Sequence, residues 1–394
     1  MRRPMSMHAR RELVWAQARR YRDAGRSGKS IILDEFCEAT GLNRKYAIGL
    51  LTRPPVETHA ALRRKRRSRY HADVGMLERL WELSGHLCGK RLVAAIPVLL
   101  DALVRHGEIE VTPSQSERLR RISASTVDRL LQPRRRATGW RGKVLTKPGT
   151  LLRNQIPVRT YADWDEQMPG FFEADLVAHC GGSAAGDFAC TLTLTDVHTG
   201  WTELAALPNL SQIAVCDAID RIRSRIPFPM LGIDSDNGSE FINNNLRRYC
   251  EANRITFTRC RPYRKNDQCH VESKNWSVVR AHVAYWRYEG ADTVRTLASL
   301  YSWLRLAVNF FRPSLKLKEK TRQGAKVTRT HDEGATPHQR LIAAQVLNAD
   351  DHDELQQMFL ELNPADIHRK IQQASQRLYT AATVRNANDA TNCL

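Results

Sequence analysis

Through residue 132 the apolar positions recur at helical spacing. RELVWAQARRYRDAG reads as a first helix, stopped by Gly25. KSIILDEFCEATGLNRKYAIGLL holds a helix, a short turn at ATGL, and a second helix opening near Asn43. Ile32, Phe36, Leu42, Ala47 and Leu51 can share a small core. Two helices so spaced form a helix-turn-helix or a plain helical hairpin. Further helices follow in GMLERLWELSGHLCGKRLVAAIPVLLDALVRHG and in SERLRRISASTVDRLLQPRRR, the last capped by Ser123 or Ser125.

Between 133 and 165 no periodic face persists, and Gly139, Gly142, Pro148 and Gly149 punctuate a basic linker. At Gly170 the period becomes two. GFFEADLVAH, DFACTLTLTDVHTG and WTELAALP read as three strands joined by short turns, an antiparallel meander. SQIAVCDAIDRIRSRI is an amphipathic helix, PMLGIDSD a strand, NNNLRRYCEANR a helix and ITFTRC a strand. A long helix follows over about Asp267–Tyr288, then another over TLASLYSWLRLAVNFF. In the tail, SLKLKEKTRQG and KVTRTHDEG can pair as strands ahead of two or three helices between Pro337 and about Ala382, and the last dozen residues read as frayed.

The expected organisation is therefore multidomain. Residues 1–62 form an all-helical helix-turn-helix DNA-binding domain, and 63–132 a basic arm with a second helical DNA-binding domain. Residues 133–165 are the linker, 166–311 an α/β core on a mixed five-stranded sheet, and 312–394 a small C-terminal β and helical region.

Charge changes the picture. The 394 residues carry a formal net charge of +19, which calls for a polyanionic partner. Six of the seven residues 63–69 are basic: Arg63, Arg64, Lys65, Arg66, Arg67 and Arg69. They read as a phosphate-tracking arm, and Arg134, Arg135 and Arg136 extend the last helix as a second basic tail. No segment reads as a membrane span, and the N-terminus lacks the apolar run of a signal peptide, so a cytoplasmic location and no membrane partner are expected. Nine scattered cysteines with no CxxC pair argue against both disulfides and structural zinc.

Against that basic background, carboxylates sit in unusual places. Glu173 and Asp175 share a face of a strand whose other residues are apolar, and a carboxylate in mid-strand is costly unless something positive holds it. In GIDSDNGSEF, Asp234 and Asp236 share a face where a strand ends in an Asn-Gly turn; Asp236, nearer the open edge, is the better metal-facing candidate. Glu272 lies on the long helix in QCHVESKNWSVVR. Three such groups converging at a sheet edge repel one another unless hard divalent cations such as Mg²⁺ or Mn²⁺ sit between them.

In these residues the chain resembles the catalytic core of DDE transposases and retroviral-type integrases, with an RNase H-like fold. Asp175 matches the first aspartate, DNGSEF at 236–241 the second motif, and RPYRKNDQCHVESKN the loop and helix that carry the glutamate, with 35 residues between Asp236 and Glu272. FFRPSLKLKEKTRQGAKVTRTHDEGATPHQRL resembles the tail of bacterial insertion-sequence transposases of this group; the chain lacks the His/His/Cys/Cys zinc domain of retroviral integrases.

The resemblance implies Asp175, Asp236 and Glu272 as catalytic residues binding two Mg²⁺ ions per site, with Mn²⁺ able to substitute. It implies a bacterial, nucleoid-associated enzyme that binds terminal inverted repeats of double-stranded DNA. Hydrolysis frees 3′ ends, and transesterification joins them to target DNA. Two ends imply a homodimer or a larger assembly. Asn43, Arg44 and Lys45 on a recognition helix, the arm and tail arginines above, and Arg261, Tyr263, Arg264, Lys274, Asn275 and Arg280 beside the core are the candidate DNA contacts. The alternatives are an RNase H-like nuclease without strand transfer, or an inert DNA-binding regulator.

Overall fold

A computed structural model describes residues 5–54, 69–137, 158–159, 168–236, 238, 240–241, 243–260, 268–323 and 326–391. The chain divides into two compact units, Met1–Arg69 and Tyr70–Leu394.

The described residues of the first unit form three helices, α1 Met7–Asp23, α2 Arg26–Thr40 and α3 Arg44–Thr52. The Ser6 side chain accepts from Ala9 N to start α1, and the Asn43 side chain accepts from Lys45 N to start α3. Gly41, left-handed at φ 68°, ends α2 and turns the chain toward α3. Val14, Tyr21, Ile32, Leu33, Phe36, Ala47 and Leu51 close the core, so the three-residue turn and the helical spacing fall where the apolar pattern put them.

The second unit opens with four helices, α4 Val74–Leu83, α5 Gly89–Arg105, α6 Pro113–Arg120 and α7 Ala124–Ala137. The stretch from 133 to 137, expected to begin the linker, is the last turn of α7, which accommodates Pro133. The sheet comprises β1 Val158–Arg159, β2 Phe171–Ala178, β3 Cys190–Asp196, β4 Thr202–Leu207, β5 Gly232–Ser235 and β6 Thr256–Cys260. Its order is β1-β6-β5-β2-β3-β4. β2, β3 and β4 are the antiparallel meander, while β5 and β6 run parallel to β2. The mixed five-stranded sheet is thus present, with the two-residue β1 added beside β6.

α8 Gln212–Arg223 leads into β5, and α9 Asn244–Ala252 connects β5 to β6. The expected long helix is α10 Cys269–Lys274, a π-helical segment Asn275–Arg280, and α11 Ala281–Val283. α12 Ala291–Leu306 continues into a second π segment, Ala307–Phe311. The tail forms an antiparallel hairpin, β7 Leu317–Gln323 with β8 Lys326–His331, then α13 Pro337–Ala344, α14 Ala349–Glu361 and α15 Pro364–Thr391. α15 extends well past Ala382, where fraying was expected. Among the described residues no helix is long and apolar enough to cross a membrane.

One contiguous apolar core joins α4–α7 to the sheet and to α12–α15. At the β4 edge it is bounded by polar groups. Glu203, fully buried, accepts from Trp201 Nε1 (2.9 Å), Arg225 Nε (2.7 Å) and Arg305 Nε (2.8 Å). The Asn309 side chain bonds both Thr202 N and Thr202 O (2.8 and 2.9 Å), and Arg225 Nη2 donates to Leu204 O (2.7 Å).

Candidate active site

The register of the sheet fixes where the acids stand. Glu173 of β2 is opposite Asp234 of β5, and Asp175 is opposite Thr193 of β3. Asp236 stands one residue beyond β5. α10 lies on the carboxylate side, because Val271 N donates to Glu173 Oε2 at 2.8 Å. Four residues on, Asn275 Nδ2 donates to Asp175 Oδ2 at 2.5 Å. Leu176 N holds the other Asp175 oxygen at 2.8 Å.

The electrostatics join the three predicted carboxylates. Asp175 is pushed up to about 7, first by burial and then by the charge of Asp236, with Glu272 and Glu240 adding to it. Asp236 is raised to about 6 by burial and by Glu240, against the pull of the Gly238 N–H (2.9 Å). A side chain at Gly238 would crowd the pair: a Cβ would meet Asp236 Oδ1 at 2.9 Å and the Glu240 carboxyl at 2.7 Å, so those carboxyls would have to shift. The two aspartates between which strand pattern alone did not choose are now distinct. Asp234 is buried and accepts from Thr258 Oγ1 at 2.6 Å, whereas Asp236 acts on Asp175.

Among the described residues no three His, Cys, Asp or Glu side chains close around a common point as metal ligands do. Glu272 is exposed on α10 and acts on Asp175 only through its charge. The donor chemistry nonetheless suits a hard cation. Every candidate ligand is an oxygen, the carboxyls repel one another, and Asn275 Oδ1 is buried beside Asp175 with no hydrogen-bond partner. A divalent ion is the group that such a set accommodates best.

The other candidates scatter. Arg63, Arg64, Lys65, Arg66, Arg67, Asn237, Arg261, Tyr263 and Arg264 lie outside the described residues. Arg69, Lys45 and Arg136 are exposed. The Asn43 side-chain oxygen is used as the α3 cap, and Arg44 binds Asp34 and Ser30 across to α2. Arg134 pairs with Glu82 (3.3 Å), and Arg135 pairs with Asp128 (2.5 Å) while lying over the Trp81 ring. Lys274, expected among the phosphate contacts, is instead buried with its ammonium on Gly200 O (3.4 Å), because it points from α10 toward the β3–β4 turn. Arg280 is anchored on Ala178 O (2.9 Å) and on the Tyr285 ring. Trp276, in the π-helical segment, is 64% exposed.

Sequence reasoning missed Glu240 and the burial of Glu173. The first lay in plain view inside DNGSEF; the second had only its period-two partnership with Asp175 as a signal.

Residues 165–265 match the family model described as integrase core domain; the match ends before Glu272. The chain is 42% identical over 338 residues to an uncharacterized protein, y4rM, of Sinorhizobium fredii (strain NBRC 101917 / NGR234), covering 86% of this chain and 96% of that one. Among solved structures, the catalytic core domain of BIV integrase aligns with 45% of this chain and 95% of its own length, at 18% identity and a TM-score of 0.31.

Proposed function

The chain belongs to the integrase-core superfamily, and on that premise we propose that it is a DNA transposase of the DDE type. It binds the terminal repeats of a mobile element, frees 3′-hydroxyls there by hydrolysis, and joins them to target DNA by transesterification. The observation that carries this reading is the placement of Asp175. It stands in mid-strand within the residues that match an integrase core, and Asn275, three residues past Glu272, donates to it at 2.5 Å.

Asp175, Asp236 and Glu272 would hold two Mg²⁺ ions, or Mn²⁺. When bound, such ions activate the attacking oxygen and stabilise the leaving 3′ oxygen. The chain's own groups prepare the site. Asn275 Nδ2 and Leu176 N fix the two oxygens of Asp175, and Gly238 N fixes Asp236 Oδ1. Burial and the neighbouring charges push Asp175 up to about 7, so binding of a divalent ion there would compete with a proton. The three-helix unit reads the element end through the exposed face of α3, where Lys45 is open to solvent. Two ends must be paired, so the working form is at least a homodimer on DNA.

The test uses duplexes taken from the DNA flanking the gene. Mg²⁺-dependent nicking at short inverted repeats, followed by joining of a pre-cleaved end to a second duplex, is expected. Asp175→Asn, Asp236→Asn and Glu272→Gln should each remove both reactions while duplex binding persists. Nicking without joining would leave a nuclease. Full activity in any one variant would take that residue out of the site.

A further inference from the structure

A charge buried in a protein interior needs a counter-charge, and among the described residues no carboxylate is paired with Arg312. It follows the π segment Ala307–Phe311 and is only 6% exposed. Its Nε is buried with no hydrogen-bond partner. Among the described groups, the charge acting on it is another cation, Arg91, and burial pushes it down to about 10.

Its charge is felt by several other groups. Arg91 and Arg340 add their charge to that of Arg312 on Lys274. His86, His282 and His368 are each pushed down first by burial, with the Arg312 charge adding to it. The carboxylates of the region are engaged elsewhere. Glu82 is paired with Arg134 (3.3 Å), and Asp332 with Arg340 (2.8 Å). Arg91 Nε donates to Pro313 O (2.7 Å) and Lys274 Nζ to Gly200 O (3.4 Å), so carbonyl oxygens hold these cations without neutralising them.

The fold also makes room for the guanidinium deliberately. Gly85, left-handed at φ 75°, closes α4, and a Cβ on it would lie 2.6 Å from the Arg312 guanidinium carbon. The guanidinium therefore lies flat against the C-terminal end of α4. The partial negative charge of a helix end, about half an elementary charge, offsets only part of a full cation.

We propose that Arg312 is the centre of an anion site, at the junction of α4, α10 and the segment after α12, that takes a phosphate oxyanion. The planar fork of a guanidinium matches two phosphate oxygens, and Arg91, held beside it on Pro313 O, supplies further positive charge. Lys274 is buried on α10, whereas Glu272 on the same helix is exposed. Free phosphate and a phosphodiester of bound DNA share this chemistry.

The test uses the full chain. Thermal unfolding is followed in sodium phosphate and in sodium chloride at matched ionic strength, with equilibrium dialysis of radiolabelled phosphate to count bound ions. The salt dependence of binding to a duplex of about 20 bp is measured in parallel. If the oxyanion is free phosphate, one ion binds per chain, the melting temperature rises saturably, and Arg312→Met abolishes both effects. If the oxyanion belongs to DNA, phosphate has no saturable effect, and Arg312→Met makes the log–log salt slope shallower by about one. In chloride Arg312→Met is expected to melt no lower than the parent, since it removes an uncompensated charge. Should that variant fail to fold, Arg91→Gln is read in the same two assays, with severalfold weaker phosphate binding or a shallower slope expected. Unchanged phosphate binding and an unchanged salt slope in the variant that folds overturn the proposal, as does the absence of any phosphate effect together with an unchanged slope.

Discussion

A carboxyl buried among like charges has a definite pH signature. Glu173 is raised to about 8 by burial, with Asp234 and Glu272 adding to it and the Val271 N–H opposing. Its ordinary value is 4.5, so the native state holds the proton more tightly than the unfolded chain does. The stabilisation is full below about 4.5 and is lost as pH rises through 8. Asp175 acts in the same direction up to about 7. Metal-free protein should therefore lose stability from pH 5 to 8, by up to about 1.4 kcal/mol per pH unit for each such group. Glu173→Gln should flatten that slope in urea titrations at several pH values; an unchanged slope would show that Glu173 is already ionised. Asn275→Ala should slow single-turnover DNA cleavage about tenfold or more while leaving duplex affinity near the parent's, because it frees Asp175 to turn. At this scale the sequence was informative about Asp175, since an acid in the middle of an apolar strand stands out. It said little about Glu240, whose influence depends on a turn that brings it beside Asp236.

Elements were legible where one period dominated. The change from helical to alternating spacing at Gly170, and the order of strands and helices after it, follow directly from which faces are buried. The π segment Asn275–Arg280 was not legible. A single widened turn leaves the apolar spacing almost unchanged, yet such turns are frequent where function needs a side chain re-aimed. Caps give a direct test on α3. Asn43→Ala should cost the first unit about 1 kcal/mol in chemical denaturation, through the lost bond to Lys45 N. Gly49 lies within α3 with nothing within 4 Å of its Cβ position. Gly49→Ala should therefore stabilise that helix by about 0.5–1 kcal/mol, and a concurrent loss of duplex affinity would mark the outer face of α3 as a DNA-reading surface.

For the molecule as a whole, the +19 charge was the plainest statement in the sequence, and it sets an expectation of steeply salt-dependent DNA binding. The interior polar groups were less visible, because partners such as Glu203 and Arg305, or Thr202 and Asn309, lie about a hundred residues apart. Glu203→Ala would leave Arg225 and Arg305 without their carboxylate and should cost about 3–5 kcal/mol, read as a lower denaturant midpoint. The same corner has a consequence for assembly. Thr202 and Leu204 are where β4 turns its main-chain groups outward, and the side chains of Asn309 and Arg225 already occupy them. A neighbouring copy thus finds this stretch of the margin partly taken, which disfavours stitching sheets from separate molecules into a continuous ribbon there and guards a basic, DNA-seeking protein against fibrous self-association.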